Sequence, residues 1–172
     1  MADYYTSTAF VIEVEPAEAA LFGELLDLAD TLDGDPRADR AALFATTSDA
    51  FKHAFPDADG DKPLSAFIDL FEFGDDYIRF DLSVDFGEPK DDRVPMFCWG
   101  EQVAVGSVAR LIQKTCPSLL PWGFVWGSHC NKPRTDGFGG GFAAIARDAV
   151  VIRTADELLD GTLEAMGAHL DA

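Results

Sequence analysis

The feature that most narrows the fold is a strand that runs into a helix with no loop between them. From Thr6 to Glu15 the residues alternate, with Phe10, Ile12 and Val14 on one side and Val11, Glu13 and Glu15 on the other. That two-residue period belongs to a strand with one face in a core. Pro16 takes the first helical position, where its fixed φ fits and its missing N–H costs nothing. Leu21, Leu25, Leu28 and Leu32 then recur at helical spacing until Gly34 supplies a stop.

Further along, the pattern is less even. Residues 35–63 are ambiguous: Ala38 to Thr46 fits helix or strand, and Ser48 suits the cap of a short helix through Phe55. Ala66 to Phe73 and Tyr77 to Phe86 read as a hairpin turning at Gly74-Asp75-Asp76, the second arm alternating cleanly through Ile78, Phe80, Leu82, Val84 and Phe86. Glu88 to Pro95 reads as a charged loop, and Gly100 to Thr115 as a helix with Ala104, Val108, Leu111 and Ile112 on one face, ended by Pro117. Trp122, Phe124 and Trp126 alternate with Gly123, Val125 and Gly127, a strand with large rings on one side and a bare side that predicts close packing. Phe142 to Ala146 and Ala149 to Arg153 form a hairpin about Arg147-Asp148. Thr154 and Glu157 make a capping box for a last helix that buries Leu159, Leu163, Met166 and Leu170. The expected fold is α+β: a ferredoxin-like split β-α-β core with an extra C-terminal hairpin and helix, a mainly antiparallel sheet, and helices on one face. One domain, 1–172, is expected, since no linker divides the chain.

Charge limits the partners. Thirty-one acids against 13 bases give −18, and residues 1–95 hold 23 acids and 7 bases, so −16 of that total. Such a field disfavours direct binding of nucleic acid or anionic membrane and favours a basic partner; acidity that only keeps a salt-adapted protein soluble is the competing reading. No apolar run approaches the ~18 residues of a membrane span. Cys98, Cys116 and Cys130 fit reduced thiols, so a cytoplasmic location is expected.

No residue set completes a catalytic, metal or cofactor signature. Asp57, Asp59 and Asp61 around Gly60 resemble part of a calcium loop, but its twelfth position is Ile68 rather than an acid. His53, Cys98, Cys116, His129, Cys130 and His169 contain no pair at zinc-ligand spacing. Cys130 lacks the strained elbow of a nucleophile, although a His and Asp136 are near in sequence. The loop from Cys130 to Gly141 is the most distinctive: Lys132 and Arg134 flank Pro133, and Gly139, Gly140 and Gly141 follow. Two cations and a glycine run suit an anion; the competing reading is that the glycines permit a tight strand crossing.

Gly123-Phe124-Val125-Trp126, then Cys130-x-Lys132-Pro133-Arg134, then Phe138-Gly139-Gly140-Gly141, resemble a family of small bacterial, phage and plasmid proteins that share a C-S-K-P-R-x-G-x-F-G-G-G type signature after an aromatic strand. Here Asn131 replaces the serine and Asp136-Gly137 shifts the spacer. The resemblance covers about residues 100–155 and transfers no catalytic residue. It implies a mobile-element distribution and hence a role in host interaction. The expected function is that of an acidic, non-enzymatic protein binding a basic surface of a host defence or DNA-handling protein by nucleic-acid mimicry. Asp57, Asp59, Asp61, Asp75, Asp76, Asp81 and Asp85 would form the surface. The alternative is an anion-binding domain or weak enzyme centred on Lys132 to Gly141; no cofactor is expected.

Overall fold

A computed structural model describes residues 3–56, 62–132, 134 and 137–167. Six strands, β1 (Tyr4–Val14), β2 (Ser83–Phe86), β3 (Val94–Gly100), β4 (Trp122–Cys130), β5 (Phe138–Ile145) and β6 (Val150–Thr154), form one sheet in the order β2-β3-β1-β4-β5-β6. Every neighbouring pair is antiparallel. The helices are α1 (Pro16–Gly34), α2 (Arg40–Thr46), α3 (Asp49–Ala54), α4 (Ser65–Ile68), α5 (Val105–Thr115) and α6 (Ala155–Ala165). With α1 after β1 and α5 between β3 and β4, the first four strands are the expected split β-α-β core, and the β5–β6 hairpin and α6 extend it.

The junction between strand and helix is fixed by one carboxylate. Glu18, in the first turn of α1, accepts from Glu15 N at 3.0 Å and from Ser118 N and Oγ at 2.7 and 2.5 Å. Arg93 completes the chain by donating to Ser118 Oγ at 2.7 Å. The start of α1 is thereby tied to the turn that precedes β4. Ile12 and Val14 of β1, Met96 and Cys98 of β3, Phe22 and Leu25 of α1, and Val108, Leu111 and Ile112 of α5 are all buried between these elements, each large apolar side chain contributing ~1.5–3 kcal/mol.

The ambiguous segment is a helical insertion. Ser48 caps α3 as expected, accepting from Phe51 N at 3.0 Å. Phe44, Phe51, Phe55, Phe67, Phe71 and Phe80 form a run of rings with successive centroids 4.7 to 6.3 Å apart. Residues 66–73, expected as a strand, belong instead to α4 and the turns after it: Phe67, Leu70 and Phe71 follow the i, i+3, i+4 spacing of a helix and bury against those rings. The hairpin is formed by β2 and β3 and turns at Asp91-Asp92, with φ of 50° and 60°. Ile78 and Phe80 keep the buried side of the expected alternation, but the chain bends at Asp81 (φ 49°), so ladder pairing with β3 begins at Ser83.

α1 and α5 cover one face of the sheet, to which Trp122, Phe124 and Trp126 also point; Phe10 packs on Trp122 and Phe124 at 5.1 and 5.0 Å. The other face is open. Val125 is 72% exposed and a Cβ on Gly127 would meet no atom within 4 Å, so among the described residues the close approach expected for this bare side is found only at Gly123, where a Cβ would lie 2.5 Å from Ala143 O. α6 also departs from expectation. Leu159 and Met166 are exposed, Leu163 is half-buried, and Leu170 lies outside the described residues. Helix α6 follows β6 directly from its Thr154–Glu157 capping box and meets β5 and β6, without reaching the core.

Candidate functional site

A cleft of about 920 Å³ lies between α1 and the chain leading into β2. Gly23 of α1 lets the Phe86 ring approach the helix, and the cleft opens beyond that contact. Its rim carries Asp27, Asp30 and Asp33 from α1, Asp81 from the bend before β2, and Glu101 after β3, with Arg79 as the one base among its lining residues. Asp27, Asp30 and Asp33 are three residues apart, so they rise in steps of ~4.5 Å along one side of the helix. That spacing is present in the sequence, where the leucines of the same helix carry the stronger period.

Two contacts organise the cleft. Arg79 pairs with Asp33 at 2.6 Å, and this guanidinium hydrogen bond holds the Asp33 carboxyl below its ordinary value. Tyr77 donates to Asp81 Oδ2 at 2.5 Å, which raises the phenol because its anion would face the carboxylate. Asp27, Asp30 and Glu101 are exposed. Electrostatically the cleft is a concave anion, five carboxylates against one guanidinium, with an apolar floor of Leu26, Phe80 and Val84.

The sequence-derived acidic residues divide around it. Asp81 belongs to the cleft. Asp75 is paired with Arg40 at 2.8 Å, and Asp76 is exposed beside it. Asp85 is exposed on the open face of β2, opposite Phe97. Asp57, Asp59 and Asp61, with the calcium-like loop they form, lie outside the described residues.

The glycine loop is placed differently from its sequence reading. Lys132 and Arg134 are both exposed. Gly139, Gly140 and Gly141 sit within β5, opposite Ser128, Gly127 and Trp126. Amides of a strand point alternately to its two sides, whereas an anion nest needs successive amides converging on one point. What the run does provide is close approach: at Gly140, with φ 154°, a Cβ would lie 2.6 Å from the Trp126 carbonyl oxygen. The tight-crossing alternative accounts for these positions.

Cys130 is buried, with Asn131 Oδ1 4.0 Å from its sulfur. His129 points to the opposite face, stacked on Tyr5 at 5.0 Å, and so does not stand beside the thiol; Asp136 lies outside the described residues. Burial pushes the Cys98 and Cys116 thiols up to about 12. Among the described residues no group of three or more His, Cys, Asp or Glu converges as a metal site, and no helix is long and apolar enough to cross a membrane. No family model, no curated protein and no solved structure matches the chain.

Proposed function

We propose that this chain is an acidic, non-enzymatic interaction protein whose cleft between α1 and β2 receives a cationic segment of a partner. The partner class is a basic protein surface of the kind that otherwise holds nucleic acid, in a host defence or DNA-handling protein. The observation that supports this reading is the convergence of Asp27, Asp30, Asp33, Asp81 and Glu101 on one cleft with a single opposing base. Concave, like-charged walls focus field lines and draw a cation in faster and in a defined register. An extended Lys- or Arg-rich segment has the matching charge, and its aliphatic stems suit the apolar floor.

The test is titration calorimetry with a short oligo-arginine peptide at about 50 mM salt, where screening is weak. Asp27→Asn/Asp30→Asn/Asp81→Asn should weaken binding about tenfold or more, because three close charges are lost. Glu88→Gln/Asp91→Asn/Asp92→Asn removes the same total charge from the β2–β3 turn and should cost less than about threefold. Equal losses in the two variants would show that bulk charge alone attracts the peptide, and the cleft reading would be wrong.

A further inference from the structure

The open face of the sheet carries an apolar band where an antiparallel sheet facing water normally carries polar side chains. Two rows of cross-strand neighbours make it up. One runs Ser83, Trp99, Ala9 on one half and Val125, Phe142, Arg153 on the other. The second runs Asp85, Phe97, Val11 and then Gly123, Ala144, Val151. The halves join where the β1–β4 register, fixed by Ser7 opposite Gly127, is continued by two and four residues. There the ladder stops, and an apolar groove of about 590 Å³ opens between β1 and β4. Val11, Phe97, Trp99, Val125 and Val151 are all exposed.

These rows are self-complementary. A twofold axis parallel to the strands, over the groove, lays β4 of one copy on β1 of the other and β5 on β3. Val125 then faces the second copy's Ala9, Val11 faces its Gly123, and Phe97 faces its Ala144: in each case a large side chain meets a small one. Trp99 meets Phe142, ring against ring. The charged residues ending the two rows, Asp85 on edge strand β2 and Arg153 on edge strand β6, are brought to the same edge with opposite sign, one row apart. An isologous interface needs this kind of matching of a patch to itself.

We infer that the chain is a homodimer packed sheet to sheet through this face. Six strands at ~4.8 Å and about seven residues each at ~3.4 Å give a face of roughly 700 Å² per copy, or about 1,400 Å² in all, within the range of a stable interface. A face so nearly neutral also lets two chains of −18 meet where their repulsion is weakest.

Light scattering coupled to size exclusion, at about 100 μM and 0.3 M salt, tests the inference. The expected mass is twice the 18.6 kDa of the chain. Val125→Lys, at a site already 72% exposed, should give a monomer with unchanged circular dichroism and melting temperature when dilute. Asp85→Arg and Arg153→Asp should each weaken dimerisation about tenfold, and the double exchange should recover most of the loss. A monomeric wild-type chain at that concentration overturns the inference and leaves the band to a different partner. A dimer that survives Val125→Lys overturns it equally, because the contact must then lie elsewhere.

Discussion

Gly127 and Gly140 face each other across the β4–β5 ladder, yet replacing each by Ala should shift stability in opposite directions. At Gly140 the new Cβ would stand 2.6 Å from Trp126 O and 3.2 Å from Gly127 Cα, on a backbone with φ 154°. A carbon normally approaches a carbonyl oxygen no closer than ~3.3 Å, so β4 and β5 must part by more than half an ångström or the backbone must rotate. Strain at such a φ costs ~1–3 kcal/mol and overpacking ~1–3 kcal/mol; with partial relaxation shared between them, the expected loss is ~2–4 kcal/mol. At Gly127 no atom lies within 4 Å and the φ is ordinary, so Ala removes only unfolded-state freedom and should stabilise by ~0.4–1 kcal/mol. For a chain of this size each kcal/mol moves Tm by ~2–4 °C, so thermal unfolding of dilute protein should show Gly140→Ala down by about 5–15 °C and Gly127→Ala up by a few degrees. A Gly140→Ala protein melting with the wild type would refute the close-approach account of the glycine run. A Gly127→Ala protein as damaged as Gly140→Ala would mean that something packs on the bare side of β4.

Glu18→Ala leaves Glu15 N, Ser118 N and the Ser118 hydroxyl without their acceptor; at ~1.5–3 kcal/mol for a charged hydrogen bond, partly replaced by water, it should cost ~2–4 kcal/mol in urea unfolding, where a loss under ~1 kcal/mol would remove the junction's claimed role. Cys98 and Cys116, raised from 9.0 to about 12 by burial, hold their protons in the folded chain after the unfolded chain has lost them. Stability is therefore full below pH 9 and falls as pH rises towards 12, by up to ~1.4 kcal/mol per pH unit for each thiol. Alkaline urea melts of Cys98→Ser against wild type should show a shallower decline in the variant, and parallel curves would refute the assignment.

The parts of the fold legible in the sequence were those where one period ran long enough to exclude the other. Phe10, Ile12 and Val14, then Leu21 to Leu32, fixed β1 and α1, and Ala104 to Ile112 fixed α5. The split β-α-β class followed because only a few topologies join such elements with short connections, although two of its strands lie elsewhere in the chain than expected. What misled was tertiary: Phe67, Leu70 and Phe71 are apolar because a ring cluster buries them, and a short apolar run has no period of its own. β3 was hidden by Pro95 and by the charged turn before it, whose Asp91 and Asp92 occupy positive φ without glycine. The site was legible as a sign of charge but not as a place, because Asp27 and Asp33 of α1 share a cleft with Asp81 and Glu101, which stand about 50 to 70 positions away in sequence and come together only in the fold.

The two proposed interactions, one of charge and one of apolar surface, respond oppositely to salt. The α1 carboxylates of the cleft sit on the helix side of the β2 edge and the apolar band covers the far face of the sheet, the two sharing Ser83 and Trp99 at that edge. Binding of a cation in the cleft is driven by attraction that salt screens, so its affinity falls as the Debye length shrinks from ~30 Å at 0.01 M to ~8 Å at 0.15 M. Face-to-face pairing is driven by apolar burial and opposed by the repulsion of two chains carrying −18 each, so the same change in salt strengthens it. A cationic segment seated in each cleft would cancel part of that repulsion, and binding in the cleft must then favour the pair. By linkage, pairing must favour binding in the cleft by the same factor. In low salt, therefore, the oligo-arginine peptide should shift a dilute chain towards dimer, and Asp27→Asn/Asp30→Asn/Asp81→Asn should abolish that shift while making the unliganded dimer tighter.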